Sequence, residues 1–444
     1  MTAVEEALSA ATLQRRVDKT RLDQGVPGLS LGVSYPSGGT LVHYSGTADV
    51  ATGRPAGPAT QFRLGSITKT FTAALTLLLV ERGKLDLDQP VERYLPGTGV
   101  GRPLVRQLLA HTSGLQREAP HPMWSSMMGP NAGELMSILA QAEFVDEPGA
   151  RWHYSNLGYA LLGQVITAVT GQSCEELINQ ELLEPLSLND TTWHPTTHAA
   201  TGYRLAPYQD SFHPEPQMDQ GAIGVGGQLW GTTADLLTWG NALLGNAPNA
   251  IPESVVEAMH RPQTMVDRNG WTQGWGLGLI LNRRHERILS GHTGAMPGFT
   301  ASMSLDRSKQ TVVTAFANVT RGIRLADLTL EVLDEVTSVS KTVASEARID
   351  ESVLAACPVE LAGALGRWWC EAEETIFTWH DGALHAHLAD TPTTSLTRFS
   401  RIRSDEFRAS EGRLRGERLH VRRDAEENVI GLEWATYPYS RSPR

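Results

Sequence analysis

The chain has 444 residues, 41% of them hydrophobic and 20% charged, with a formal net charge of -11 and a mean hydropathy of -0.23. That is enough apolar material for a large core and for two domains. An acidic balance without a basic cluster excludes nucleic acid and an anionic membrane surface as main partners, leaving small neutral or cationic ligands, and no stretch nears the roughly 18 uninterrupted apolar residues of a membrane span.

The first segment, "MTAVEEALSAATLQRRVDKTRLDQG", mixes acids and bases and lacks the apolar run and cleavage site of a secretory signal, so the expectation is a cytoplasmic chain. From about residue 25, "GVPGLSLGVSYPSGGTLVHYSGTADVATG" reads as two strands joined by a Pro-Ser-Gly-Gly turn. Helical periodicity follows in "SITKTFTAALTLLLVERGKL", where Ile67, Phe71, Ala74, Leu75 and Leu78 share a face and Gly83 marks the stop. "NLGYALLGQVITAVTG" is a second amphipathic helix, closed by Gly171. In "TTADLLTWGNALLG", Thr232 and Asp235 are spaced as a capping box. Strands return in "WGLGLILN", "FTASMSL" and "QTVVTAFAN", the last two joined by the turn "DRSK", and a final helix is read in "RLADLTLEVLDEV". Strands at both ends with helices between them predict that the amino-terminal hairpin joins the late strands in one antiparallel sheet, an α+β domain over residues 1–338. The polar stretch 339–351 reads as a linker. Residues 352–444 alternate short strands with Asp-Gly and Glu-Gly turns, the pattern of a small all-β barrel. Its aromatic runs, "GRWWCEAEETIFTW" and "GLEWATYPYSRSP", fill a small core or line a ligand-holding interior, and the domain is open to capping a cleft or making a homodimer contact.

Cys174, Cys357 and Cys370 are too few and too unevenly spaced for a disulfide framework and read as free thiols. No cysteine and histidine spacing suggests a metal: Pro195 separates His194 from His198, and His385 and His387 lack a third ligand. No metal and no cofactor is expected.

The stretch "GSITKT", residues 65–70, carries the first chemical signal. A serine hydroxyl is a poor nucleophile until a base activates it. Positions i and i+3 of a helix are neighbours, so Ser66 and Lys69 can meet. Burial and the positive potential of a helix start both favour the neutral amine, which can accept the serine proton. The same helix start offers the Ser66 N–H to a developing oxyanion. A serine cap followed by a surface lysine is the plainer reading of this motif alone.

Two further stretches bear on the choice. "HYSNLGYALLG" places Tyr154 just before a helix capped by Ser155 or Asn156, and "SGHTGAMPGF", residues 290–299, sets His292 in a glycine-flanked segment where a substrate backbone can approach. Each alone suits a packed tyrosine or a hydrogen-bonded histidine. Together, in this order, the three segments resemble the motifs of the penicillin-recognising serine hydrolases, in the class C β-lactamase branch that also holds D-aminopeptidases, D,D-carboxypeptidases, esterases and stand-alone peptide-cyclising thioesterases. "LLAHTSGL" and "GVGGQLWGTTADLLTW" match further stretches around that family's cleft.

The resemblance implies a β-lactamase/transpeptidase-like domain, with helices on both faces of the sheet and an all-helical region, followed by a lipocalin-like barrel. It implies Ser66 as the acylated nucleophile, Lys69 as its deprotonating partner, and Tyr154 as the base in acylation and the acid toward the leaving group. Asn156 would bond the substrate amide and the lysine. His292, Thr293 and Gly294 would form the third wall of the cleft, with the N–H of Ala295 joining that of Ser66 in the oxyanion hole. His111 is read as structural. Many β-lactamases and D,D-peptidases carry lysine where this chain has His292, and a neutral imidazole is a weaker anion anchor.

The expectation is therefore a serine hydrolase acting on a small-molecule or short-peptide acyl substrate, an ester or an amide with a D-residue on the acyl side. Trp124, Trp230 and Trp271 are candidates for lining an acyl pocket or packing a core. A cyclising thioesterase acting on carrier-bound peptides and a catalytically silent binding protein are the alternatives.

Overall fold

The strand Gly28–Ser34 is buried at every position, which places it inside a sheet covered on both faces. Leu29, Leu31 and Val33 face a core shared with the helices Ala10–Asp23 and Leu325–Val336. The intervening residues are small, and they let the helix Thr233–Asn241 come close on the other face. Ser30 Oγ and Thr233 Oγ1 lie 2.7 Å apart, and a Cβ added to Gly32 would stand 2.8 Å from Thr233 Cγ2.

This computed structural model describes residues 10–337 and 357–443, apart from 37, 207–210, 285, 372, 381, 390–395 and 413. The sequence-predicted linker at 339–351 lies outside the described residues. Nine antiparallel strands form the main sheet, in the order Arg54–Pro55, Thr40–Asp49, Gly28–Ser34, Thr311–Ala317, Phe299–Asp306, Arg287–Met296, Ile280–Arg284, Gln273–Trp275 and Thr264–Met265. Leu29 pairs with Ala317, so the amino-terminal hairpin does join the late strands. The run read as "WGLGLILN" is two strands rather than one, because the chain leaves the ladder at Gly276–Leu279. A helix over Ala10–Asp23, in the segment read only for its charges, packs Leu13 and Val17 against the sheet.

Beyond the sheet lies the helical region, built around Thr68–Glu81 and Asn156–Thr170. Every residue from Thr68 to Leu79 is buried, so this helix is a core element rather than an amphipathic one. Phe71 stacks on Trp239 with ring centres 3.8 Å apart, and Trp239 Nε1 donates to Thr70 Oγ1 at 2.8 Å. At Thr232 only half of the capping box forms. Thr232 Oγ1 accepts from Asp235 N at 3.2 Å, but the Asp235 carboxylate accepts from Asp190 N and Thr191 Oγ1 instead of reaching back.

The second sheet has eight antiparallel strands in chain order from Gly366–Cys370 to Tyr437–Tyr439. Trp369 and Ser440 exchange backbone hydrogen bonds of 2.8 and 2.9 Å, so the first strand meets the end of the last and the barrel is nearly closed. Its interior is filled by Trp368, Phe377, Phe399, Phe407 and Trp434.

One charge network ties the sheet to its last helix. Arg287 pairs with Asp306 and Asp334, and Arg284 also donates to Asp334, whose side chain is 2% exposed. Removing one partner of such a network leaves buried charge uncompensated. Asp334→Ala is expected to lower unfolding stability by about 3 kcal/mol, read as a shift in the urea midpoint.

Candidate active site

From Thr60 to Leu79 the only residue that is not buried is Ser66. It sits in a single 3₁₀ turn, Gly65–Ile67, that leads into the Thr68–Glu81 helix. Lys69 follows three positions on and is fully buried. Its Nζ donates to Gly226 O at 2.7 Å and lies 3.2 Å from Ser66 Oγ. Burial holds this amine below its ordinary pKa, and Tyr154 and Glu118 pull it partly back. The segment supplying Gly226 is fastened to the same helix, since Thr72 Oγ1 donates to Val225 O at 2.7 Å and Leu229 N to Thr68 Oγ1 at 3.2 Å. A Cβ on Gly226 would stand 3.2 Å from Lys69 Nζ, so glycine leaves room for the amine.

Tyr154 precedes the Asn156–Thr170 helix, and Ser155 is its cap, accepting from Gly158 N at 2.9 Å. The phenol ring is fixed by its neighbours. His111 stacks on it at 4.1 Å, Trp275 meets it edge-on at 5.8 Å, and Lys69 Nζ and the Arg117 guanidinium lie 5.0 and 4.9 Å from its centre. His111 has the structural place read for it: its Nδ1 accepts from Ser155 N at 3.1 Å, and burial keeps the imidazole far below its ordinary pKa, hence neutral.

His292, Thr293, Gly294 and Ala295 lie on the strand Arg287–Met296. The strand runs against the serine turn. Gly65 has a left-handed φ of 53°, and a Cβ there would stand 2.9 Å from Ala295 N. A Cβ on Gly294 would collide with Leu64 O and stand 3.3 Å from Ser66 N. The backbone nitrogens of Ser66 and Ala295 are thus brought close together on facing segments.

One sequence expectation comes out differently, and of the two readings left open for the tryptophans, packing is the one seen for Trp230 and Trp124. Asn156 makes no hydrogen bond to Lys69 among the described residues; its Nδ2 donates to Glu118 Oε1 at 2.7 Å. The three tryptophans do not share a pocket: Trp230 is buried against Phe299, Trp271 is 64% exposed, and Trp124 packs on Tyr437 of the barrel. Sequence reasoning missed Arg117, Glu118, Glu417 and Tyr437. Arg117 and Glu118 follow "LLAHTSGL" and stand out as a charged pair after a buried run, whereas the two barrel residues carry no signal of their own.

The geometry has counterparts among known proteins. Residues 7–344 match the beta-lactamase family. The chain belongs to that family. Residues 357–441 match a domain of unknown function. Penicillin-binding protein 4* of Bacillus subtilis (strain 168) is 29% identical over 291 residues, covering 60% of this chain and 62% of that protein's length. The crystal structure of SurE superposes with a TM-score of 0.68 at 25% identity over 99% of this chain and 100% of that one, so the likeness takes in the barrel. D-amino acid amidase from Ochrobactrum anthropi SV3, solved with D-phenylalanine, superposes at 0.64 with 26% identity over 76% of this chain and 98% of that one.

His292 has a pH consequence. Its Nδ1–H donates to Thr293 O at 2.6 Å, its Nε2 is buried without a partner, and burial, aided by the Lys69 charge, pushes it down to about 3. An unfolded histidine titrates near 6.5, so unfolding takes up a proton between these values. The stability it contributes is complete above about pH 6.5 and is lost as pH falls toward 3, by about 2 kcal/mol at pH 5. His292→Gln is expected to flatten the urea-midpoint profile between pH 7 and 5 by that amount.

Proposed function

We propose that this chain is a serine hydrolase that forms an acyl-enzyme on Ser66 and acts on amides or esters whose acyl part carries a D-residue. The observation that carries the reading is the buried Lys69 amine, 3.2 Å from the one partly exposed residue of its segment and depressed in pKa by burial. In this reading Ser66 Oγ attacks the scissile carbonyl while its one proton passes by way of Lys69 to Tyr154. The Ser66 and Ala295 N–H groups take up the oxyanion, and Tyr154 returns the proton to the departing amine or alcohol. Water then attacks the acyl carbon, the acid leaves, and Ser66 recovers its proton. The preference for a D-residue is supported by the likeness to a D-amino acid amidase, to a D-stereospecific amidohydrolase and to SurE, which has been solved with D-Leu.

A second reading keeps the acyl-enzyme but lets the amine of a carrier-bound peptide attack in place of water. The barrel favours it, since that domain is the feature by which the sequence resembles the cyclising thioesterases. With a peptide thioester as donor, a product one water lighter than the free acid marks cyclisation, and the free acid marks hydrolysis.

The test is hydrolysis of a p-nitrophenyl ester at pH 7 to 8, with intact mass read after quenching. Ser66→Ala is expected to abolish turnover and the acyl adduct, and Tyr154→Phe to lose at least about a hundredfold, the usual contribution of a general acid-base group. Full turnover by Ser66→Ala would remove the proposal.

A further inference from the structure

The barrel reaches the candidate active site through two side chains. Glu417 accepts from Arg117 N, at short range, and from His153 Nε2 at 2.7 Å. It thereby holds the residue before Tyr154 and the segment whose Arg117 carbonyl accepts from Asn156 N at 2.7 Å. Tyr437 comes from the barrel's last hairpin, and its hydroxyl donates to Glu118 Oε1 at 2.6 Å. Burial, with the Glu118 charge, holds the Tyr437 phenol well above its ordinary pKa, which keeps it a neutral donor. Glu118 Oε1 receives Asn156 Nδ2 as well, and Oε2 is buried with no hydrogen bond, so one oxygen serves both donors. The turn that presents Tyr437 is itself unusual. Ala435 and Thr436 both have left-handed φ, 52° and 69°, where a two-residue hairpin normally uses Asn-Gly. A β-branched residue there is strained and persists only where the surroundings impose it.

The consequence concerns which end of the Asn156 amide meets substrate. A carboxylate can only accept, so the Glu118 side must receive Nδ2, and Oδ1 is left as the free acceptor of a partly exposed residue beside Tyr154. We propose that Tyr437 of the barrel is a positioning residue which, through Glu118, locks the Asn156 amide with its acceptor toward the Ser66 cleft. The enzyme thereby selects acyl donors that carry an N–H beside the scissile carbonyl. This rests on the reading of Ser66 as the acylated serine. It makes the carboxy-terminal domain part of the specificity apparatus: the barrel holds Glu118, and Glu118 sets the polarity of the amide that meets the donor's N–H.

The experiment compares p-nitrophenyl esters of N-acetyl-D-alanine and N-acetyl-N-methyl-D-alanine on the full chain. The wild type is expected to favour the N–H ester in kcat/KM by about tenfold, the value of one hydrogen bond to a group with no other partner. Tyr437→Phe keeps the ring against Trp124 but removes the donor, and its ratio is expected to fall toward one with the change carried by KM. Glu118→Ala is expected to do the same, and Glu118→Gln, which still offers an acceptor to Nδ2, to restore the preference. A ratio unchanged in Tyr437→Phe and Glu118→Ala, or a parallel fall on both esters, would overturn the inference alone. No Ser66-dependent turnover of either ester would overturn the acyl-serine reading and the inference with it.

Discussion

The site depends on one amine held where water cannot reach it. An isolated ammonium is costly to bury, and Lys69 is fully buried at the start of a helix whose next ten residues are also inside. Its position is tolerable because two oxygens, Ser66 Oγ and Gly226 O, meet it, and because burial holds its pKa below the ordinary value, which lowers the cost of keeping it inside. The surroundings follow from that requirement: a glycine at 226, a tyrosine ring over the nitrogen, and a strand pressed so close to the serine turn that residue 294 must lack a side chain.

The same environment sorts the neighbouring groups by charge. His111 and His292 are buried neutral, one pressed against Tyr154 and the other bonded to its own strand. Lys69 and Arg117 lie against the Tyr154 ring, and Arg117 is answered by Glu118. At neutral pH the segment 292–295 therefore carries no positive charge of its own. The Arg117–Glu118 ion pair is braced by the barrel through Glu417 and Tyr437.

Much of this was legible in the residues. Apolar runs bounded by Gly and Pro gave the hairpin, the late strands and the two long helices, because their burial is written in local pattern. Ser66, Lys69, Tyr154 and the segment 292–295 do converge, as their motifs implied. The Ala10–Asp23 helix escaped because its apolar face is only Leu13 and Val17 among many charges. The half-formed cap at Thr232 reflects competition: Asp235 finds better donors on a loop some forty positions away in sequence. Glu417 and Tyr437 escaped for a deeper reason. Their meaning arises only when one sheet docks on another domain's loop, a contact that no local periodicity encodes.

The pairing of Leu29 with Ala317 has a consequence for how the chain comes to be folded. The strand Gly28–Ser34 is apolar on one face and closely packed on the other, yet its inner neighbour is among the last parts of its domain to be made. At about 5–20 residues per second, synthesis leaves that edge without its partner for roughly a quarter of a minute to a minute. Contacts so distant in sequence close slowly because the loop entropy must be met before they stabilise anything. The nascent hairpin thus presents an open strand edge until residue 317 emerges, the kind of unpaired edge that invites wrong pairings during synthesis.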